Sequence, residues 1–253
     1  MPLNVSKPAR HVAMIEIDNQ AKMNALSRTM FEEIGALWDR FDADDDCRAI
    51  VLTASGERAF CAGADIGGDL SAGPEIAAMV GKGLLKTHAI SKPVVAAVNG
   101  VCAGGGVELM LAADIRIAAS HARFGLPEVK WSIYPFGGAV TKLFRQIGYV
   151  HAADLLLTAR MIDAAEAAEI NLVNRVADGA DDARADAIAT AAAIAGNSPP
   201  AVQAVKRHLA EIFAEESISR DGREQALGDE VRLSDAFQEG VSAFREKRSP
   251  DYR

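Results

Sequence analysis

A mixed α/β core followed by helices is what the sequence predicts, and three observations predict it. Apolar segments of strand length recur near residues 11–18, 49–54 and 94–98, separated by glycine-rich turns or by a helix with one apolar face. From Ala139 onward the pattern turns helical. A break at Asn197, Ser198, Pro199 and Pro200 then divides a body of residues 1–196 from a helical tail of residues 197–253.

His11 to Asp18 reads as a half-buried strand with apolar Val12, Met14, Ile15 and Ile17, and Ala49 to Ala54 as a more deeply buried one. Between them Ser27 is an N-cap for a helix whose face carries Met30, Phe31, Ile34, Leu37, Trp38 and Phe41. Gly67 to Glu75 is turn-rich and reads as a candidate lid, leading into Ile76, Met79, Val80 and Leu84. Val94 to Ala113 nears membrane-spanning length, but Asn99, its glycines and Glu108 make it strand, turn and buried helix instead. Asp114 to Ala118 and Ala122 to Phe124 supply further strands. Ala-rich runs at 150–170 and 182–195 follow as helices. In the tail, Val202, Val205, Leu209, Ile212 and Phe213 mark an amphipathic helix, and Ala226, Leu233, Phe237, Val241 and Phe244 extend the helical pattern. Such a tail has too little core of its own, so it is expected to pack on the body or on a neighbouring subunit.

At 253 residues, 49% hydrophobic and 25% charged, the chain is long enough for one large core. A net charge of -8 argues against a nucleic-acid surface. Three cysteines without CxxC spacing, and five scattered histidines, predict neither a disulfide framework nor a metal site. The N-terminus lacks a continuous apolar stretch, so no membrane or secretory segment is expected, and a reducing cytoplasm fits best.

Chemistry is expected at two acidic residues in glycine-framed contexts: Glu108, just after Gly104, Gly105 and Gly106, and Glu128, after Gly125, Leu126 and Pro127. A carboxyl in so apolar a stretch must be paired, hydrogen-bonded or kept neutral. The glycine triplet, placed between a strand and a helix, offers backbone N–H groups to a developing oxyanion. Ala59 to Ile66 forms a second small-residue turn whose N–H groups can face the same ligand. A dinucleotide-binding reading fails because GxGxxG is missing, and neither GxxxxGK[ST] nor GxSxG occurs.

Taken in order, Asn19 to Leu26, Ala59 to Ile66, Lys92 to Gly100, Gly104 to Leu109, Asp114 to Ala118 and Phe124 to Glu128 resemble the successive motifs of the enoyl-CoA hydratase/isomerase (crotonase) superfamily. Glu239 to Arg248 resembles its C-terminal helix. The resemblance implies a spiral ββα core with a C-terminal helical trimerisation region, assembled as a homotrimer or a dimer of trimers. It implies an acyl-CoA thioester substrate, with coenzyme A as part of the substrate and no separate cofactor. The oxyanion donors fall on the N–H groups of Ala64 and Gly105, and the two catalytic carboxyls on Glu108 and Glu128. Lys22, Met23, Ala25, Ala62, Asp65 and Ile66 match the region that cradles CoA; Pro127 and Phe136 fall on the substrate side, and Phe244 and Lys247 can approach CoA from an adjacent subunit. A chain with both carboxyls resembles hydratases, adding water across the 2,3 double bond, more than isomerases that work with one. An acyl-CoA double-bond isomerase and a non-catalytic acyl-CoA-binding subunit are the alternatives.

The run Val129 to Gly138 departs from that pattern, with Ser132 where family hydratases usually carry glycine and Phe136 in place of the glycine of a Pro-Gly pair. Trp131, Tyr134 and Phe136 are therefore expected to reshape the acyl pocket or to pack in the core.

Overall fold

A computed structural model describes residues 2–65 and 73–252, with the side chains of residues 213–218 outside that description. Ile66 and residues 67–72 of the turn-rich segment therefore lie outside the described residues.

The first sheet runs in the order β1 (Leu3–Ala9), β2 (Val12–Ile17), β3 (Ala49–Ala54), β5 (Val94–Val98), β7 (Ile115–Ala119) and β10 (Arg175–Ala177). Only β1 is antiparallel to its neighbour, turning back at His11, which takes a φ of 62°. Because alternate side chains of a strand point to opposite faces, β3 sends Ile50 and Leu52 to one core and Ala49 and Val51 to another. The first core packs under α1 (Arg28–Ala43), whose Ser27 hydroxyl accepts from the Met30 N–H at 3.3 Å as the sequence predicts. Trp38, fully buried on that helix, also donates from Nε1 to the Gly83 carbonyl at 2.9 Å, and burial of so large an apolar body contributes roughly 2–3 kcal/mol. The second core lies under α6 (Ala180–Ala195), which buries Ala183, Ala187, Ala191 and Ala195 at every fourth position and so brings its backbone close to the sheet.

The second sheet, β4 (Ala59–Cys61), β6 (Val101–Ala103), β8 (Arg123–Gly125) and β9 (Met161–Asp163), pairs in that order. Its strands alternate along the chain with those of the first. The units β3-β4-α2 (Pro74–Gly83) and β5-β6-α3 (Gly105–Met110) each give one strand to each sheet and then a helix. This is the expected ββα spiral. Each corner is pinned by polar side chains: Asn99 Nδ2 donates to Gly56 O at 2.6 Å, and a Cβ on Gly100 would lie 2.5 Å from Glu57 O, which makes that Asn-Gly turn specific.

The chain then forms α4 (Ala139–Thr158), broken at Gly148, and α5 (Ala164–Glu169), with β9 and β10 interrupting what the alanine-rich sequence presents as helix. After α6 ends at Ala195, Pro199 opens α7 (Pro199–Arg232), and α8 (Asp235–Glu246) follows. The apolar stripe expected in the tail is open to solvent in the single chain: Val205, Leu209 and Ile212 are all more than half exposed. Among the described residues, no helix is long and apolar enough to cross a membrane.

Candidate active site

Residues 19–26 and 59–65 are stitched into one rim. The Ala62 N–H donates to Met23 O at 3.0 Å, Leu26 N–H to Gly63 O at 2.9 Å, and Asp65 N–H to Leu26 O at 2.9 Å. Asn24, buried with a φ of 56°, holds the bend by donating to Ala59 O at 2.7 Å and Ser55 O at 3.1 Å. Met23 beside it has a φ of 54°, a conformation a side chain rarely adopts unless its surroundings enforce it. Lys22 pairs with Asp65 at 2.6 Å on the exposed edge of this rim, so Lys22, Met23, Ala25, Ala62 and Asp65 do come together. An exposed pair of this kind is worth about 0–1 kcal/mol, so its position on the rim says more than its stability.

The two expected amide donors are neighbours. A Cβ on Gly105 would lie 3.2 Å from the Ala64 nitrogen, and a Cβ on Gly63 would lie 3.5 Å from the Gly105 nitrogen. Among the described residues no backbone carbonyl accepts from either N–H, as the first position of a helix leads one to expect for Gly105. Gly106 is needed for the approach, since its Cβ would sit 2.1 Å from Cys61 O.

Glu108, in the first turn of α3, is only 6% exposed, and its Oε1 accepts from the Ala139 N–H at 3.3 Å. Glu128 sits in the 3-10 turn Pro127–Trp131; its Oε1 lies 3.1 Å from where a Cβ on Gly104 would be, beside the Gly105 amide. The residue as a whole is half-buried, yet Oε2 is closed off from solvent and has no hydrogen-bond partner. Burial pushes both carboxyls above the ordinary range. For Glu128 the negative charge of Glu108 adds to the push, whereas for Glu108 the N–H groups of Ala139 and Gly137 and the cations Lys142 and Lys86 oppose it. Two carboxyls held this way beside two open amides can take one proton and give another.

A second wall, next to Glu108, includes Lys86, Thr141, Lys142, Asp221 and Glu224, which the sequence reading did not single out. Lys86 is buried and donates to Phe136 O at 2.9 Å while pairing with Asp221 at 2.7 Å and Glu224 at 2.8 Å, both on α7. Burial pulls its pKa down, but the two carboxylates outweigh that and leave it raised. Thr141 donates to Glu224 at 2.8 Å, and Lys142, buried one residue on, donates to Leu84 O at 3.0 Å. Asp221, Glu224, Gly228 and Arg232 recur every three or four residues, so one stripe of α7 faces this wall. The only advance signal for Lys142 is a lysine among the core-facing positions Ala139, Leu143 and Ile147 of α4.

Phe136 meets that stripe. A Cβ on Gly228 would lie 2.7 Å from the Phe136 ring, and the Arg232 guanidinium stacks 5.2 Å from the ring centroid, so the bulk added at 136 is partly taken up by α7. Tyr134 stands 6.5 Å from Phe136; burial, with Glu224 and Glu108 nearby, pushes its hydroxyl up to about 12. Ser132 takes a φ of 52°, a conformation that glycine enters without a steric penalty, which accounts for glycine being usual there.

Trp131 faces away from this wall, with its carbonyl against Gly240 of α8 and its ring edge-on to Phe244 at 5.2 Å. Phe244 and Lys247 line a groove of about 630 Å³ with Lys130, Trp131, Arg245 and Arg248, and none of Lys22, Met23, Ala25, Ala62 or Asp65 lines it. Within one chain the structure therefore does not join these two groups of expected CoA contacts.

Comparison with known proteins follows the same lines. The profile of the enoyl-CoA hydratase/isomerase family matches residues 8–253. An enoyl-CoA hydratase of Mycobacterium tuberculosis is 39% identical over 250 residues, 96% of this chain and 93% of that protein. A mevalonyl-coenzyme A hydratase of Aspergillus fumigatus is 36% identical over 257 residues, 98% of this chain and 94% of that protein. The crystal structure of a carnitinyl-CoA hydratase from Mycobacterium avium superposes with a TM-score of 0.91 at 33% identity, covering 100% of this chain and 98% of that one. With the ββα spiral, the paired amides and the paired carboxyls arranged as described, the chain belongs to the enoyl-CoA hydratase/isomerase family.

Proposed function

We propose that this chain is an acyl-CoA hydratase that adds water reversibly across the 2,3 double bond of an enoyl-CoA thioester. One observation supports the reading above the rest: Glu108 and Glu128 are both held above the usual carboxylate range, the charge of Glu108 reaches Glu128, and Glu128 lies against Gly104 next to the Gly105 amide. The relatives named as hydratases of mevalonyl-, carnitinyl- and enoyl-CoA support the same class.

In this mechanism the two amide N–H groups donate to the thioester oxygen and stabilise the enolate-like charge that develops on it. Glu108 takes a proton from water as the water oxygen bonds to Cβ, and Glu128 delivers its proton to Cα; the reverse sequence dehydrates a 3-hydroxyacyl-CoA. General acid–base assistance supplies roughly 10²- to 10⁴-fold and one oxyanion donor about 3 kcal/mol, so the reaction needs both devices. Lys22 and Met23 on the rim, with Ala25, Ala62 and Asp65, receive the CoA moiety, and Pro127 and Phe136 lie toward the acyl group. Coenzyme A arrives with the substrate, and no separate cofactor is required. Phe244 and Lys247, on a different face of the same chain, serve a neighbouring subunit in a homotrimer or dimer of trimers, for which the open stripe Val205, Leu209 and Ile212 offers an interface. The enzyme works in the cytoplasm.

The test is a panel of short, long, branched, aromatic and polar enoyl-CoA thioesters, scored by mass for gain or loss of water. Glu108→Gln is expected to lower hydration at least 100-fold while CoA-thioester binding survives. If Glu108→Gln leaves double-bond migration intact and the wild type adds no water to any member, the isomerase reading replaces this one. Binding without any turnover would make the chain an acyl-CoA-binding subunit.

A further inference from the structure

Two carboxyls close enough for the charge of one to act on the other need something to decide which of them keeps the proton. Among the described residues no cation is seen to act on Glu128: its Oε2 has no partner, and the charge acting on it is the negative Glu108. Around Glu108 the surroundings are opposite in kind. Its Oε1 accepts from the Ala139 N–H, and its Oε2 lies 2.2 Å from where a Cβ on Gly137 would be. The same Gly137 position abuts Leu84 Cδ1 at 2.5 Å, and the Leu84 carbonyl is the acceptor of the Lys142 ammonium at 3.0 Å. The next residue, Gly138, is flanked by the Lys86 stem at 3.2 Å and the Lys142 Cε at 3.8 Å. Glu108, Leu84, Lys142 and Lys86 are thus gathered around two glycines that leave room for them.

Of the two lysines, Lys86 already has its counter-charges in Asp221 and Glu224. Among the described residues, Lys142 has one acceptor, a neutral carbonyl. A buried ammonium with a single neutral acceptor is costly unless an opposite charge compensates it. The charged groups that act on Lys142 are Glu108 from α3, Arg116 from β7, Lys206 from α7 and Lys86 after α2. Arg116, Lys206 and Lys86 repel it. Among these groups of the described residues, Glu108 alone attracts it. Those acting on Glu108 are Lys142 and Lys86, with Glu128 and Tyr134 coupled to it from the loop between β8 and α4.

We propose that Lys142 is a positioning residue, the counter-cation of Glu108, which makes Glu108 the ionised member of the carboxyl pair and leaves the proton on Glu128. The inference rests on the hydratase reading for what the proton is used for, but the order of the two carboxyls can be read without turnover. Burial, opposed by Glu108 and joined by the neighbouring cations, leaves Lys142 at about 7, so the pair responds to pH in the neutral range.

The experiment compares wild type with Lys142→Gln, which keeps a donor for Leu84 O but loses the charge, and with Lys142→Arg, which keeps the charge. The infrared C=O band of a protonated carboxyl is followed from pH 5 to 9 and assigned by its loss in Glu128→Gln or Glu108→Gln. In wild type at pH 7 the band is expected to vanish in Glu128→Gln and persist in Glu108→Gln. In Lys142→Gln the acidic limb of the kcat profile, measured with the fastest substrate of the panel, is expected to move up by about one pH unit or more, a tenfold change in ionised Glu108 at a given pH. KM should stay within about threefold, because a group acting through Glu108 leaves substrate binding alone. Lys142→Arg is expected to restore the limb. An unshifted limb in Lys142→Gln overturns the proposal, as does a wild-type band that belongs to Glu108. If Lys142→Gln does not fold, the pH limb of Lys142→Arg and a wild-type band that belongs to Glu108 can still overturn the proposal. Full hydration by Glu108→Gln would instead show that Glu108 is not the base of the reaction, a failure of the mechanism that the infrared order of the two carboxyls, read without turnover, keeps separate from this proposal.

Discussion

The two walls of the site are built from different material. On one side stand Ala64, Gly104 and Gly105, where the working groups are backbone amides and the side chains are absent or a single methyl. On the other stand Tyr134, Phe136, Thr141, Lys142 and Lys86, held by Asp221, Glu224, Gly228 and Arg232 of α7. The first wall has almost nothing to vary, because a side chain at Gly105 would crowd the Ala64 nitrogen and one at Gly106 would run into the Cys61 carbonyl. The second is a network of charges and rings, in which reach, charge and volume are all adjustable. The amide wall suits what an acyl-CoA family shares, a thioester oxygen; the side-chain wall is where its members can differ.

The largest expected effect breaks the amide wall. In Gly105→Ala the new methyl sits 3.2 Å from the Ala64 nitrogen, inside the hollow, and kcat should fall about 10²- to 10³-fold, as when one oxyanion donor is lost. The thermal midpoint should barely move, since Gly105 is not in the left-handed region and no core contact is lost. A variant within threefold of wild-type kcat would mean that these amides do not grip the substrate.

Breaking the second wall should do the reverse. Lys86→Met leaves the buried Glu224 and the half-exposed Asp221 without their cation, and removal of one partner of a buried pair costs about 3 kcal/mol. The urea midpoint should drop accordingly, with α7 loosened from α4. If stability is unchanged, the stripe of α7 is not anchored through Lys86 and the contrast between the walls is one of position only.

The same contrast explains what could be read in the sequence. The amide wall is local: Gly104 to Glu108 is one strand-to-helix turn, and its chemistry follows from residue types within five positions. The capped helix α1 and strands β3 and β5 are legible for the same reason, because their periodicity is contained in a single run. The second sheet is less legible. β4, β6 and β9 are three residues each, too short for a period to repeat, and exist because their neighbours pair with them. The side-chain wall depends on contacts such as Thr141 to Glu224, 83 residues apart, and Lys86 to Phe136, 50 apart. A lysine in an apolar stretch announces that a partner exists, but not which one. Phe136 illustrates the limit: its bulk is visible in the sequence, while Gly228, the gap that receives it, is one glycine in a long helix.

The smallest effect sharpens the comparison at the two carboxyls themselves. Glu128 is raised in the folded state above its unfolded value of about 4.3, so between those two values the folded protein retains a proton that the unfolded chain releases. Stability is therefore lost as pH rises through that window and stays lost above it. Glu128→Gln does not titrate, and relative to wild type it should be more stable by about 1 kcal/mol at pH 8 and by little at pH 4. Chemical denaturation at the two pH values measures the difference; an equal difference at both would mean that the burial of Glu128 is not what holds its proton. Glu108→Gln should gain less, because it relieves a buried carboxylate but strips Lys142 of the negative charge that attracts it. The two substitutions are chemically identical, so any gap between them comes from the cations that one carboxyl has and the other lacks.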